Sequence, residues 1–161
     1  AGVVLVAQPI MQAVFSPLAG RLSDRIEPRL VASTGLALTA IGLVPFALLG
    51  RDTSLEYVVA SLAVLGFGFA LFSSPNTNAV MGSVERRSYG VASATLGTMR
   101  LVGQMLSMGI ATLVLAVYIG RVRISPEYYP LLLQTIRTTF LISAVLCVGG
   151  VFASLIRGNV R

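Results

Sequence analysis

The chain has 161 residues, of which 55% are hydrophobic and 11% are charged, and its mean hydropathy is +0.86. A soluble domain carries about 25% charged residues. Twelve arginines and six acidic residues are therefore too few to cover a globule of this size in water. This composition argues against a soluble enzyme and indicates that the chain presents its apolar surface to the lipid bilayer.

The net charge of +6 and the absence of histidine narrow the function further. The arginines fall in short gaps between long uncharged runs, not in one patch that could follow a phosphate backbone, so no nucleic acid is expected as a partner. A single cysteine, Cys147, allows neither a disulfide within the chain nor a cysteine zinc site. The sequence also lacks a nucleotide-binding loop, so we expect no catalysis, no metal and no cofactor.

Five charge-poor stretches are long enough to be membrane helices. A helix needs about 20 apolar residues to cross the hydrocarbon core, and stretches of this length alternate with short charged gaps. We therefore predict an all-α integral membrane protein in which residues 1–161 form a single transmembrane domain. The predicted spans are residues 1–20, 30–50, 57–82, 91–118 and 135–156.

The placement of the arginines predicts the orientation of this multi-pass protein in the cell membrane. Cytoplasmic loops carry an excess of Lys and Arg. The first gap, the third gap and the C-terminal tail hold seven arginines, against four in the alternate gaps. The C-terminus is therefore predicted to be cytoplasmic. Because the chain starts with Ala and has an odd number of spans, we expect at least one further helix before it.

The first gap combines a tight turn with paired charges. It contains Gly20, Asp24, Arg25 and Arg29, and Pro28 opens the next helix, where its missing N–H costs nothing. One interpretation is a charged turn that sets the orientation of the chain. The other is a gate, because an aspartate beside helix ends can bind a neighbouring helix N-terminus and hold one of two arrangements.

Polar residues at helical spacing mark candidate faces on the first, third and fourth spans, which we expect to face protein or water. The second and fifth spans are expected to face lipid. Glutamines such as those of the first span more often join helices than bind a ligand. The asparagines of the third span can equally bind carbonyls freed by Pro75, a residue that favours a kink. The candidates for a substrate cavity or for contact with the rest of the protein are Gln8, Gln12, Asn76, Asn78, Arg100 and Gln104.

Arg100 is the one charged residue in the interior of a predicted span, since Arg137 lies at the start of the fifth span and belongs to the charged gap before it. A charge in the hydrocarbon costs about 2.5–3.5 kcal/mol on insertion scales, so it normally faces the interior and marks a functional site. All six acidic residues of the chain lie in the gaps. The partner of Arg100 is therefore expected to be a carboxylate outside this chain, an anionic substrate group, or carbonyls near Pro75. A structural role, capping carbonyls or reaching toward the surface, is the alternative.

Two motifs resemble those of the major facilitator superfamily. The pattern G-x-x-x-D-R-x-x-x-R at residues 20–29 is similar to the signature loop of the family in its C-terminal-half copy. The chain departs from that loop at Glu27, where Gly is usual, and at Leu30, where a further basic residue is usual. The run from Gly66 to Gln104 resembles the fourteen-span drug:proton antiporters of the same family.

The resemblance covers nearly all of the chain and implies a fold and a function. The five spans would be the last five of a transporter, forming most of its C-terminal six-helix half, with the N-terminal half absent here. The first and fourth spans would then face the other half, and the third would face the central cavity. The implied function is proton-coupled efflux of drugs or amphipathic small molecules by alternating access, with the substrate and protons as partners. The alternative is a small self-associating membrane protein that does not transport.

Overall fold

The computed structural model describes residues 4, 6–23, 25–50, 53–120 and 128–156. Within these ranges the chain is helical and contains no strand, so the predicted all-α class is confirmed. The helices are α1 (Ala7–Ser23), α2 (Pro28–Ala47), α3 (Leu55–Gly82), a short 3₁₀ helix (Arg86–Ser88), α4 (Tyr89–Tyr118) and α5 (Tyr129–Ile156).

Local signals in the sequence explain where these helices begin and end. Pro28 opens α2, where no partner for its missing N–H is needed. Ser54 caps α3, its Oγ accepting a hydrogen bond from the backbone N–H of Tyr57 at 3.3 Å. Beyond α4, Gly120 adopts a φ of +69°, a left-handed conformation that favours glycine at the end of a helix.

Among the described residues, four helical segments are long enough and apolar enough to cross a membrane: Pro28–Ala47, Leu55–Gly82, Arg86–Tyr118 and Tyr129–Ile156. Helix α1 has 17 residues. At 1.5 Å per residue it is about 26 Å long, somewhat less than the hydrocarbon thickness of about 30 Å.

Helices α2 and α3 form the centre of the molecule. Helix α2 packs against α3 and α5, while α1 packs against α3 and α4 lies mainly beside α5. At the α2–α3 crossing a Cβ on Gly35 would lie 2.8 Å from the carbonyl oxygen of Gly68, and one on Gly68 would lie 2.8 Å from the backbone nitrogen of Thr39. These distances leave no room for a side chain, so the two backbones pack directly against each other.

A hydrophobic core adjoins this crossing. Its buried residues come from α2, α3 and α5, and Phe140 of α5 stacks on Phe46 of α2 with ring centroids 4.8 Å apart. Ser33 of α2 also donates a hydrogen bond to Ser154 of α5 at 2.8 Å. The core residues are Leu43, Phe46, Leu62, Leu65 and Ala144.

The expectation that the second span faces lipid stays a prediction, and eight of the 20 residues of α2 are buried. Helix α2 is buried on the faces that meet α3 and α5, because its small residues allow both neighbours to approach closely. One apolar stripe of α2 is exposed; it consists of Leu30, Ile41 and Val44, and Leu48 directly after the helix continues it. By contrast, Ala92 and Val114 are the buried residues of α4 within its described range.

Candidate functional site

The polar segment of α3, residues 73–78, is the centre of the candidate site. Helix α3 continues as one helix through Pro75, whose side chain is fully buried. Proline has no N–H to donate to the carbonyl of Leu71, four residues earlier. Thr77 instead donates its hydroxyl to the carbonyl of Ser73 at 2.9 Å, which ties the backbone across the proline. The kink expected at Pro75 stays a prediction.

Arg100 of α4 binds this segment. Its Nη2 donates to the hydroxyl oxygen of Thr77 at 3.0 Å and to that of Ser73 at 3.4 Å. Ser73 and Thr77 are one helical turn apart and present both oxygens on one side of α3. Of the partners expected from the sequence, carbonyl groups near Pro75 agree best with the structure. The acceptors are, however, the side-chain hydroxyls of Ser73 and Thr77 and not backbone carbonyls.

The charge of Arg100 has no compensating carboxylate among the residues that the structure describes. The described acidic residues that form salt bridges do so elsewhere, Glu27 with Arg29 at 2.9 Å and Glu85 with Arg87 at 2.7 Å. The side chain of Arg100 is exposed. The site therefore consists of a cation held by two neutral hydroxyls, with part of its surface open to another group.

Along the helix axes, the site lies between the ends of α3 and α4. Arg100 is 11 residues after the start of α4 at Tyr89, which is about 16 Å along the helix axis. Thr77 is five residues before the end of α3 at Gly82, about 8 Å from that end. The cluster is thus nearer to the end of the molecule that carries the α1–α2 and α3–α4 turns.

The C-terminal end of α1 reaches the same polar segment. A Cβ on Gly20 would lie 3.1 Å from the hydroxyl oxygen of Ser74 and 3.9 Å from Nδ2 of Asn78. Asn78 is exposed and Asn76 is half-buried. The structure therefore brings Gly20, a residue of the predicted gating loop, to within one helical turn of the residues that bind Arg100.

The other candidates in the predicted gating loop are Arg25, Arg29 and Asp24. Arg25 is exposed in the turn after α1, and Arg29 is half-buried and paired with Glu27. Asp24 lies outside the described residues.

The two glutamines of α1 lie away from the Arg100 cluster. The backbone oxygen of Gln8 packs against Gly66 of α3, which precedes Pro75 by nine residues, a distance of about 14 Å along the helix. Gln8 and Gln12 are half-buried, whereas the apolar stripe Ile10, Val14 and Leu18 of α1 is exposed. The contact with α3 comes from the backbone of Gln8, so the role of the two glutamine side chains stays a prediction.

Gln104 is exposed one helical turn after Arg100. Its spacing of four residues places it on the same side of α4.

The sequence did not identify Ser73 and Thr77 as site residues. Their spacing of four residues and the arginine in the interior of the predicted fourth span were the available signals, but helical spacing alone cannot say which helix faces which. The sequence also gave no sign of an apolar cleft of about 330 Å³ between α1, α2 and α3. This cleft is lined by Met11, Phe15, Leu38, Ala63, Val64 and Phe67.

Comparison with known proteins gives several matches. The sequence is 35% identical over 114 residues to "Uncharacterized transporter YebQ" of Escherichia coli, covering 71% of this chain and 25% of that protein. It is 31% identical over 100 residues to "Riboflavin transporter RibZ" of Clostridioides difficile, covering 62% of this chain and 22% of the relative. It is 30% identical over 108 residues to "Multidrug resistance protein Stp" of Mycobacterium tuberculosis, covering 67% of this chain and 20% of that protein.

The matched region corresponds to a quarter or less of the length of each of these relatives. No solved structure matches the chain significantly. The profile of the Major Facilitator Superfamily, however, matches residues 1–160, almost the entire chain. Together with the bundle of membrane-length helices, this match establishes that the chain belongs to the Major Facilitator Superfamily of membrane transporters.

Proposed function

We propose that the chain is the C-terminal portion of a proton-coupled exporter of drugs or other amphipathic compounds that works by alternating access. The observation that carries the proposal is the Arg100 cluster, a charged and hydrogen-bonded group between two membrane-length helices. Intramembrane charges are costly and are retained mainly where a substrate or ion passes. The relative Stp is named as a multidrug resistance protein, and this name supports the choice of substrate class.

The packing of α2, α3 and α5 supports a mechanism in which this part of the protein moves as a unit. Glycine crossings and a shared hydrophobic core join these helices. In transporters of this architectural kind, rigid halves rock around a central site, so that the site opens to one side of the membrane at a time. The polar segment of α3, together with Arg100, would contribute to that central site from this half.

The loop at residues 20–29 is proposed as the gate on the cytoplasmic side. Gly20 lies against the polar segment of α3, so a movement of the loop would be transmitted to the Arg100 cluster. The carboxylate of Asp24 would stabilise one arrangement through its interaction with a helix N-terminus.

The proposal includes an orientation. The protein lies in the cell membrane with its C-terminus in the cytoplasm. In a variant with Cys147→Ala, a cysteine replacing Arg86 should react with a membrane-impermeant maleimide only after permeabilisation. A cysteine replacing Arg123 should react in intact cells. The reverse pattern would overturn the orientation and the assignment of the gate.

An efflux assay tests the function itself. The full-length protein in proteoliposomes should accumulate an amphipathic dye such as ethidium when a pH gradient is imposed, and a protonophore should abolish the accumulation. Equal accumulation of the dye with and without the pH gradient would contradict proton coupling. Absence of transport for a panel of cationic, neutral and anionic amphiphiles would favour the self-associating, non-transporting alternative.

A further inference from the structure

We propose that Arg100, positioned by Ser73 and Thr77, binds the anionic head group of a transported amphiphile, a carboxylate or a phosphate. This inference rests on the proposed function as an exporter of amphipathic compounds, and it names the chemical class that the intramembrane site accepts.

The donors of Arg100 are only partly used. A guanidinium carries five N–H groups, and the hydrogen bonds to Ser73 and Thr77 both come from Nη2. The N–H groups on Nε and Nη1 have no acceptor among the described residues. Because the two hydroxyls hold one nitrogen of a planar group, they also fix the direction in which the remaining donors point.

The electrostatics of the site favour an anion. The hydroxyls that bind Arg100 are neutral, so its positive charge is not compensated by the described part of the chain. The described carboxylate on α3, that of Glu56, precedes Ser73 by 17 residues, about 26 Å along the helix. A charge-assisted hydrogen bond to an oxyanion is stronger than one to a neutral acceptor.

The surface of α4 next to Arg100 suits an amphiphile. Leu101, Met105 and Met108 are spaced by four and three residues, so they form a stripe beside the one that carries Arg100 and Gln104. All three are more than half exposed, at 57%, 72% and 74%. Methionine adapts its shape to varied apolar ligands. The anionic head would bind at Arg100, and the apolar part would lie along this stripe.

A pair of matched probes tests the proposal with the full-length protein in nanodiscs. The probes are dansyl-labelled undecanoate and its primary amide, titrated at alkaline pH, with empty nanodiscs as background. Wild-type protein should bind the carboxylate about tenfold more tightly than the amide. Arg100→Gln should weaken carboxylate binding about tenfold and change amide binding by less than about twofold.

Two further variants keep the test decisive. Thr77→Val leaves Arg100 in place but removes its closer anchor, and should weaken carboxylate binding by about threefold. Arg137→Gln removes an exposed arginine on α5 that binds the carbonyl of Leu49, and should change neither probe. Elution profiles in size-exclusion chromatography establish that each variant is folded.

The possible outcomes separate this inference from the proposed function. Equal loss of both probes in Arg100→Gln would show that Arg100 acts on structure or on a protein carboxylate, and would overturn the anion site. Equal binding of both probes by wild type, or binding of neither by a protein that exports cationic dyes, would also overturn it while the exporter function stands. A protein that binds neither probe and transports no amphiphile would overturn both proposals.

Discussion

The crossing of α2 with α3 and the helix α4 differ in what surrounds their glycines. At the crossing, Gly35 and Gly68 lie against backbone atoms of the opposite helix, at distances that exclude even a methyl group. On α4, a Cβ on Gly90, Gly97, Gly103 or Gly109 would meet no described atom within 4 Å. The same residue type therefore serves close packing in one region and has no packing partner within the described chain in the other.

This difference separates a closely packed region, formed by α2, α3 and α5, from helix α4, which is held by few contacts. Van der Waals packing between small residues drives helix association in a membrane, where lipid is as apolar as leucine. Helices α2 and α3 have that packing, and the shared hydrophobic core joins α5 to them. Helix α4 is joined to α3 by the hydrogen bonds of Arg100, and Thr138 of α5 donates to the phenol oxygen of Tyr118 at 3.3 Å. Substitutions in the first region should change stability, and those on α4 should change activity.

The largest effect on stability is expected for Gly35→Ala. The added Cβ would lie 2.7 Å from the carbonyl carbon of Leu71 and 2.8 Å from the carbonyl oxygen of Gly68, and backbone atoms cannot yield as side chains do. We expect the free energy of unfolding to fall by about 3 kcal/mol, measured by denaturant titration of the purified protein in mixed micelles.

The matched control is Gly97→Ala on α4, where space is open. Removing a glycine from a helix interior raises stability by up to about 1 kcal/mol where nothing clashes. If the two variants lose stability equally, the contrast between the regions is wrong.

Asp24→Asn tests the predicted gating loop, which joins α1 to α2. Removing one charge at an aqueous turn costs little folding energy, but would release one of the two arrangements of the gate. We expect transport to fall about tenfold, equivalent to about 1.4 kcal/mol, with normal expression and insertion. Glu56→Gln, an exposed acid in the first turn of α3, should transport normally. Normal transport by Asp24→Asn would reduce the loop to an orientation signal.

Arg100→Ala and Arg100→Lys test helix α4, the helix held by few contacts. Both should lower transport by about fivefold or more, because lysine keeps the charge but loses the planar arrangement of donors. The exposed bonds to two hydroxyls contribute little to folding, so Arg100→Ala should remain monodisperse in detergent. Near-normal transport by the alanine variant would make Arg100 a packing residue. Full activity of the lysine variant would show that charge alone suffices.

A smaller effect is expected at the α2–α5 contact. Ser33 is 5% exposed and donates to Ser154, so Ser33→Ala should lower the free energy of unfolding by about 0.6 kcal/mol, as is typical of hydrogen bonds between membrane helices. A double-mutant cycle with Ser154→Ala isolates the pair. Thr112→Ala on α4 is the control, because its exposed hydroxyl donates to the carbonyl of Met108 in its own helix. A coupling energy of zero would show that the serines do not join the helices.

The sequence by itself determined the class of the protein and the approximate extent of its helices. Charged gaps interrupt long apolar stretches, and this pattern follows from the energy of burying charge in lipid, which does not depend on the fold. Helices α3, α4 and α5 end at residues 82, 118 and 156, while the bounds of the membrane spans stay a prediction. The same reasoning identified Arg100 as the unusual charge.

Only the tertiary structure decided which helices meet and what Arg100 binds. Helical spacing assigns residues to a face but does not specify the neighbour of that face, so the burial of α2 and the approach of Gln8 to α3 could not be predicted. Glycine in an apolar stretch is compatible both with a crossing, as at Gly35, and with open space, as at Gly103. The distinction depends on the position of a second backbone, and that position results from packing among residues far apart in the chain.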